Sequence, residues 1–239
     1  MKRYSMLQPL YLSFFSRELY RDVRTNWKGT GFLYLLILLA LTWLPVMVKL
    51  HQGVARIVRQ EAPKLVDQMP KITIRRGEVS IDRPVPYTIE DPDTHAPLMV
   101  IDTSGTVTSF GQGSAIILLT RDKFMYRQPH RAETRIYDLT GIDDFTVDRS
   151  RVDGWVQAFR KYFAIVAYPF ALAGSLAFRV IQMLLYAAIG MIFASMLKIT
   201  LDYLTLLRLA SVSITPVILL STVLTLTGLH VPVLPLVSF

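Results

Sequence analysis

Apolar residues along this chain gather in two blocks separated by a polar stretch. The first block, Gly31 to Val48 (GFLYLLILLALTWLPVMV), contains no charged residue. It approaches the roughly 20 residues that an α-helix needs to cross about 30 Å of hydrocarbon. A buried core helix would normally keep a polar face, and this run has none. Trp43, near one end, suits an interfacial anchor. The pattern therefore predicts a first transmembrane helix over 31–49. Ahead of it, Leu7 to Trp27 places Leu12, Phe15, Leu19, Tyr20 and Val23 at helical spacing, with Arg17, Arg21 and Arg24 largely opposite. Such a basic amphipathic helix suits either the cytoplasmic headgroup layer or the protein's own cytoplasmic face.

The second block, Tyr162 to Phe239, is harder to divide. Phe178 to Lys198 has spanning length and is bracketed by Arg179 and Lys198. Basic side chains at span ends snorkel, so the bracket favours one helix with Arg179 outside and Lys198 inside. Tyr162 to Ala177 is also apolar, with Pro169 and Gly174-Ser175 but no polar loop. It reads as an interfacial or re-entrant lead-in, or as an extension packed on other helices. A short amphipathic piece (ITLDYLTLLR) then precedes another span, Leu209 to Leu229, with Pro216 inside it. Three spans are expected, with four as the alternative.

Between the blocks the period changes. Gln52 to Met69 keeps helical spacing, broken by Pro63, and Lys71 to Ile81 alternates apolar and polar residues around Arg75-Arg76-Gly77, the pattern of two strands and a tight turn. Pro84, Pro86, Pro92 and Pro97 make a regular helix improbable in the next stretch. Further strands are expected at Leu98 to Ile101, Ser114 to Leu119, Lys123 to Arg127 and Thr134 to Tyr137, about five or six in all. Helical spacing returns from Asp148 to Lys161, with Trp155 and Phe159 one turn apart. The expected fold is an α+β integral membrane protein: a cytoplasmic helix at 1–30, a first span at 31–49, an antiparallel β-rich extracytoplasmic domain with flanking helices at 50–161, and a membrane block at 162–239.

Charge sets the orientation. Six basic and two acidic residues precede Gly31, whereas Leu50 to Lys161 holds 16 basic and 15 acidic residues. A basic flank beside the first span predicts a cytoplasmic N-terminus and a translocated middle region. The formal charge of +8 is therefore no sign of nucleic-acid binding. The first span lacks a following A-x-A pattern and has a core longer than a usual signal h-region, so it is expected to stay as an anchor. With no cysteine, disulfides, thiolate metal sites and cysteine nucleophiles are excluded.

The order of parts, with the series PKITIRRGEVSI, PYTIED and MVIDTSG followed by LDYLTLLRLASVSITPVILL, resembles the bacterial membrane family catalogued as domain of unknown function 1189. The resemblance implies a layout and transfers no catalytic residue. It also implies that related chains continue beyond the position of Phe239 with another apolar span.

Candidate chemistry is sparse. Asp102-Thr103-Ser104-Gly105 resembles the D-T-G or D-S-G turn of aspartic proteases, with an extra residue and no second copy. The same residues are ordinary turn chemistry, with Asp102 capping backbone amides, and that reading is preferred. His51, His95, His130 and His230 lack the i, i+4 spacing of a helical zinc site, and Asp143, Asp144, Asp148 and Asp153 do not match a calcium loop. Gly111-Gln112-Gly113 is too short for a phosphate cradle. No catalytic, metal or cofactor site is expected. Arg179, Gln182, Asp202 and Arg208 are the polar residues of the membrane block; anchoring at the interface is favoured for both arginines, with a polar seam or lipid-headgroup site as the functional reading. Gly174, Ser175, Gly190 and Ser195 would allow close helix approach.

These features point to a non-enzymatic accessory or sensory protein of a bacterial inner membrane, whose extracytoplasmic domain binds a partner or ligand. A transport or channel subunit is the alternative, and a membrane-bound hydrolase using Asp102 the third. Expected partners are the lipid bilayer and a membrane or periplasmic protein, with a homo-oligomer as a further option and no nucleic acid.

Overall fold

The computed structural model describes residues 4–29, 31–110, 115–128 and 133–229. It divides into two compact units, one made of residues Gly53–Tyr162 and the other of the described residues on either side. The element order is α1 (Pro9–Leu12), α2 (Arg17–Asn26), α3 (Phe32–Val66), then β1 to β8, then α4 (Arg149–Met196), α5 (Tyr203–Ser213) and α6 (Thr215–Thr227). Among the described residues three helical stretches are long and apolar enough to cross a membrane: Phe32–Val66, Arg149–Met196 and Tyr203–Thr227.

In the helical unit, the amphipathic N-terminal segment is broken in two. Ser16 leaves helical geometry, and its hydroxyl accepts from the Leu19 amide at 3.2 Å, so α2 starts afresh there. Its inner face buries Leu19 and Val23 against a core containing Tyr34, Leu35 and Leu38 of α3, Met183 of α4, and Leu207 and Val212 of α5. Trp27 and Tyr34 meet edge to face at 5.7 Å, and the Tyr34 hydroxyl is 2.7 Å from that of Thr215. Gly31 sits at φ +84°, and a Cβ there would run into the Ser211 side chain, so glycine is required both for the backbone and for the approach.

α4 is one continuous helix of 48 residues, about 72 Å at 1.5 Å per residue. It begins well before Phe178 and passes through Pro169, so Tyr162 to Ala177 is an extension of the helix with no re-entrant turn. A proline is tolerated inside apolar helices where the surroundings compensate for the lost hydrogen bond. The last span breaks at Ile214, with Pro216 in the first turn of α6, where its missing N–H costs nothing. Gly228, at φ +77°, closes α6, and Lys49 Nζ donates to the carbonyls of Thr225 and Leu226 at 2.8 and 3.0 Å.

Among its described residues the second unit holds eight strands: β1 (Ile72–Arg75), β2 (Glu78–Ile81), β3 (Tyr87–Glu90), β4 (Pro97–Asp102), β5 (Ile117–Thr120), β6 (Lys123–Arg127), β7 (Thr134–Asp138) and β8 (Asp144–Val147). Arg76 and Gly77, both at positive φ, make the two-residue turn between β1 and β2, the geometry that matches strand twist in a hairpin. One sheet has the order β2-β1-β8, the other β3-β4-β5-β6-β7. All pairs are antiparallel except β4 with β5, a parallel pair reached by the long connection after Asp102. That connection gives β5 the length of chain needed to re-enter in the same direction. Ile72, Ile74, Val79, Ile101, Leu119 and Leu139 form the core between the sheets.

Candidate functional site

Asp102 ends β4, and none of it is exposed. Its carboxylate accepts from the Ser104 amide (2.8 Å) and hydroxyl (2.5 Å), the Thr106 hydroxyl (2.8 Å) and the Val107 amide (2.6 Å). The Ser104 hydroxyl does most to hold this carboxyl well below the usual carboxylate range. Four donors on two oxygens describe a charge that organises a turn, and they leave little acceptor capacity for a reacting water. Asp138 and Asp91 are similar on a smaller scale: the Thr140 hydroxyl and amide lower the first, and the Thr94 and Asp93 amides lower the second.

The other polar candidates of this unit remain dispersed. His95 has a side chain 80% exposed, its Nδ1 3.8 Å from Glu90 Oε2. Asp148 caps α4 through the Arg151 amide at 2.8 Å. Among the described residues no group of three or more His, Asp or Glu is placed to hold a metal ion. His130, His230 and Gly111 to Gly113 lie outside the described residues.

The open edge of the larger sheet was not anticipated. β7 is a terminal strand, and all five of its residues are exposed. Ile136 is 60% exposed and Tyr137 51%, with Tyr137 touching Phe124 at its inner side (ring centroids 6.1 Å apart). Edge strands expose unpaired backbone groups and are normally blunted by charge, proline or a bulge. β7 carries Arg135 and Asp138 but neither of the other two devices. The alternating pattern of Thr134 to Tyr137 located the strand, but nothing in one sequence says which strand ends a sheet.

In the helical unit the structure separates the four polar candidates into two clusters. Asp202 caps α5, accepting from the Thr205 amide at 3.2 Å and from the Thr205 hydroxyl. That hydroxyl in turn accepts from Arg208 Nη2 at 2.6 Å, and Arg208 Nη1 donates to the Trp27 carbonyl. Thr205 thus links an acid and a base that are too far apart for a one-turn pair. Across the interface, buried Asp22 accepts from Asn26 Nδ2 (2.7 Å) and the Trp27 indole (3.2 Å). Asp22 and Thr205 were missed in the sequence, although an acid between Leu19 and Val23 on an apolar face was a usable signal.

The second cluster lies on α4. Arg179 and Gln182 are 9% and 6% exposed, Arg179 Nη1 donates to Gln182 Oε1 at 2.5 Å, and Gln182 Nε2 donates to the Tyr186 hydroxyl at 3.1 Å. Arg179 lies well inside α4 and is buried. It lines a cavity of about 180 Å³ with Thr42 and Trp43 of α3, Ser175 of α4, and Ser221 and Thr222 of α6. Of the small residues, Gly190 allows Leu206 to pack on α4, whereas Gly174 has nothing within 4 Å.

These features define an α+β protein with, among the described residues, three helices of membrane-spanning length and apolarity, and a separate unit of two small sheets. The chain belongs to the family described as protein of unknown function DUF1189, whose model matches residues 7–239. No curated protein and no solved structure matches it.

Proposed function

We propose that this is a multi-pass bacterial inner-membrane protein, N-terminus cytoplasmic, acting as an accessory or sensory component whose extracytoplasmic β unit binds a protein partner. The observation that carries the reading is the β7 edge. Among the described residues no strand pairs with its outer edge, and its backbone groups with the exposed Ile136 and Tyr137 offer a partner strand both hydrogen bonds and side-chain contacts. The basic N-terminal flank and the nearly neutral middle region support the orientation.

The test uses the full chain purified in mild detergent with its co-purifying proteins. Ile136→Asp changes an exposed position and adds like charge beside Asp138, so it leaves expression and folding unchanged while stripping the partner away. Retention of the same co-purifying proteins by this variant counts against the edge as the binding element.

A transport or channel subunit is the second reading, supported by the burial of Arg179 and Gln182 between helices. In that case Arg179→Gln abolishes the cellular function and Ile136→Asp spares it. The hydrolase reading gains no support, because the donors around Asp102 hold it as an ionised turn-former and no second carboxyl shares its site among the described residues.

A further inference from the structure

The N-terminal segment turns only one side to the protein. Hydrogen bonds from the Leu10 amide to the Leu7 carbonyl (3.1 Å) and from the Ser16 amide to the Leu12 carbonyl (2.8 Å) extend the helical turn of α1 at both ends. Pro9 is buried, Leu10 and Leu12 pack against the helical core, and α1 lies on α6. Leu7, Tyr11, Phe14 and Phe15 recur at the spacing of one helical face and form the other side, 53, 55, 56 and 73% exposed. The Tyr20 hydroxyl donates to the Ser13 carbonyl at 2.7 Å and fixes the corner between α1 and α2, so the fold itself holds this apolar side in place.

α2 is oriented differently. Its apolar face is taken up by the protein's own core through Leu19 and Val23, and its outer face carries Arg17, Arg21 and Arg24 one turn apart. All three are exposed, and among the described residues none is in an ion pair. An apolar wedge beside a basic stripe matches a bilayer interface, where the acyl boundary takes the apolar side chains and anionic headgroups take the guanidinium groups. A purely apolar protein surface would cover the wedge and leave the arginines without a use. The surroundings agree: α6 belongs to the apolar stretch Tyr203–Thr227, and the apolar helix α3 starts at Phe32, six residues after α2 ends at Asn26.

We propose that Leu7, Tyr11, Phe14 and Phe15 insert into the interfacial layer of the bilayer, and that Arg17, Arg21 and Arg24 bind the headgroups of anionic phospholipids beside them. The segment is thus a preformed anionic-lipid site. The inference rests on α3 and α6 being membrane spans, and it is independent of what binds at β7.

The full chain, which has no cysteine of its own, receives one by Phe15→Cys and is spin-labelled there. Phe15 is exposed, so the change leaves the fold intact. The protein is reconstituted into vesicles of phosphatidylcholine and phosphatidylglycerol in equal parts. The label is expected to be relaxed by oxygen, which concentrates in the acyl region, and to be shielded from a water-soluble nickel complex. Relaxation by the nickel complex places the segment in water, and relaxation by neither agent places it under protein, a second copy included; either result overturns the proposal. Lipid retained after extraction in maltoside detergent is then read by native mass spectrometry. The wild type retains phosphatidylglycerol in preference to phosphatidylcholine, and the triple variant Arg17→Gln, Arg21→Gln, Arg24→Gln lowers that preference at least about fivefold, the factor for one arginine at an anionic surface. Should the triple variant fail to fold, Arg21→Gln alone decides. An unchanged preference in a folded variant overturns the proposal. Alkaline extraction of membranes tests the spans separately: release of the protein removes the spans and this site together, whereas retention with a nickel-relaxed label overturns the site alone.

Discussion

Asp102 illustrates how one side chain can look catalytic in sequence and be structural in space. Four donors fix it, and their loss is the measurable consequence. Asp102→Asn keeps the shape but turns one acceptor oxygen into a donor facing donors; it destabilises the β unit by about 2 kcal/mol, the order of one charge-assisted hydrogen bond, read by thermal or urea unfolding. The pH dependence follows from the direction of the shift. Asp102, Asp91 and Asp138 all have folded values below their unfolded ones, so near and below pH 4 the unfolded chain binds more protons than the native one. Their stabilisation is complete above the unfolded values and drains away as pH falls through the folded ones. The unfolding midpoint of the β unit therefore drops with acidification below about pH 4, and Asp102→Asn flattens that dependence. A midpoint insensitive to pH in this range contradicts the role given to these carboxylates. Thr205 is the corresponding residue in the helical unit. Thr205→Val removes the hydroxyl between Asp202 and Arg208 at nearly constant volume, and costs about 1.5 kcal/mol in detergent unfolding.

At the scale of elements, what was legible depended on punctuation. The first span stood out because Gly31 to Val48 has no charge, and the β1–β2 turn because Arg76-Gly77 interrupts strict alternation. β6 falls where alternation placed it, from Lys123 to Arg127. β3 and β8 were missed: each is four residues long, β3 lies among prolines and β8 opens on the second residue of an acidic pair, so neither offers a run long enough to show a period. α4 posed the opposite difficulty, since Pro169 and Gly174 look like breaks and a long apolar helix contains no polar loop to contradict them. Gly77 gives the element-scale prediction. At φ +82°, with the Thr140 backbone where a Cβ would lie, Gly77→Ala strains the turn and pushes against its neighbour. It destabilises the β unit by more than the roughly 1 kcal/mol of an ordinary glycine substitution, and an unchanged unfolding midpoint contradicts this packing.

For the whole molecule, the fold class was readable because hydrophobic runs and alternation are properties of single stretches of chain. The candidate sites were not, because Arg208 reaches the Trp27 carbonyl through packing of distant segments, and the β7 edge depends on the order of strands in space. Partner binding at that edge is the reading on which the proposed role stands. A photo-reactive amino acid placed at Ile136 of the full chain in growing cells, with Thr88 on β3 at the far edge of the sheet as the control, interrogates it. A discrete adduct with a second protein from position 136, absent from position 88, is expected. No adduct at 136, or the same adducts from both positions, contradicts it.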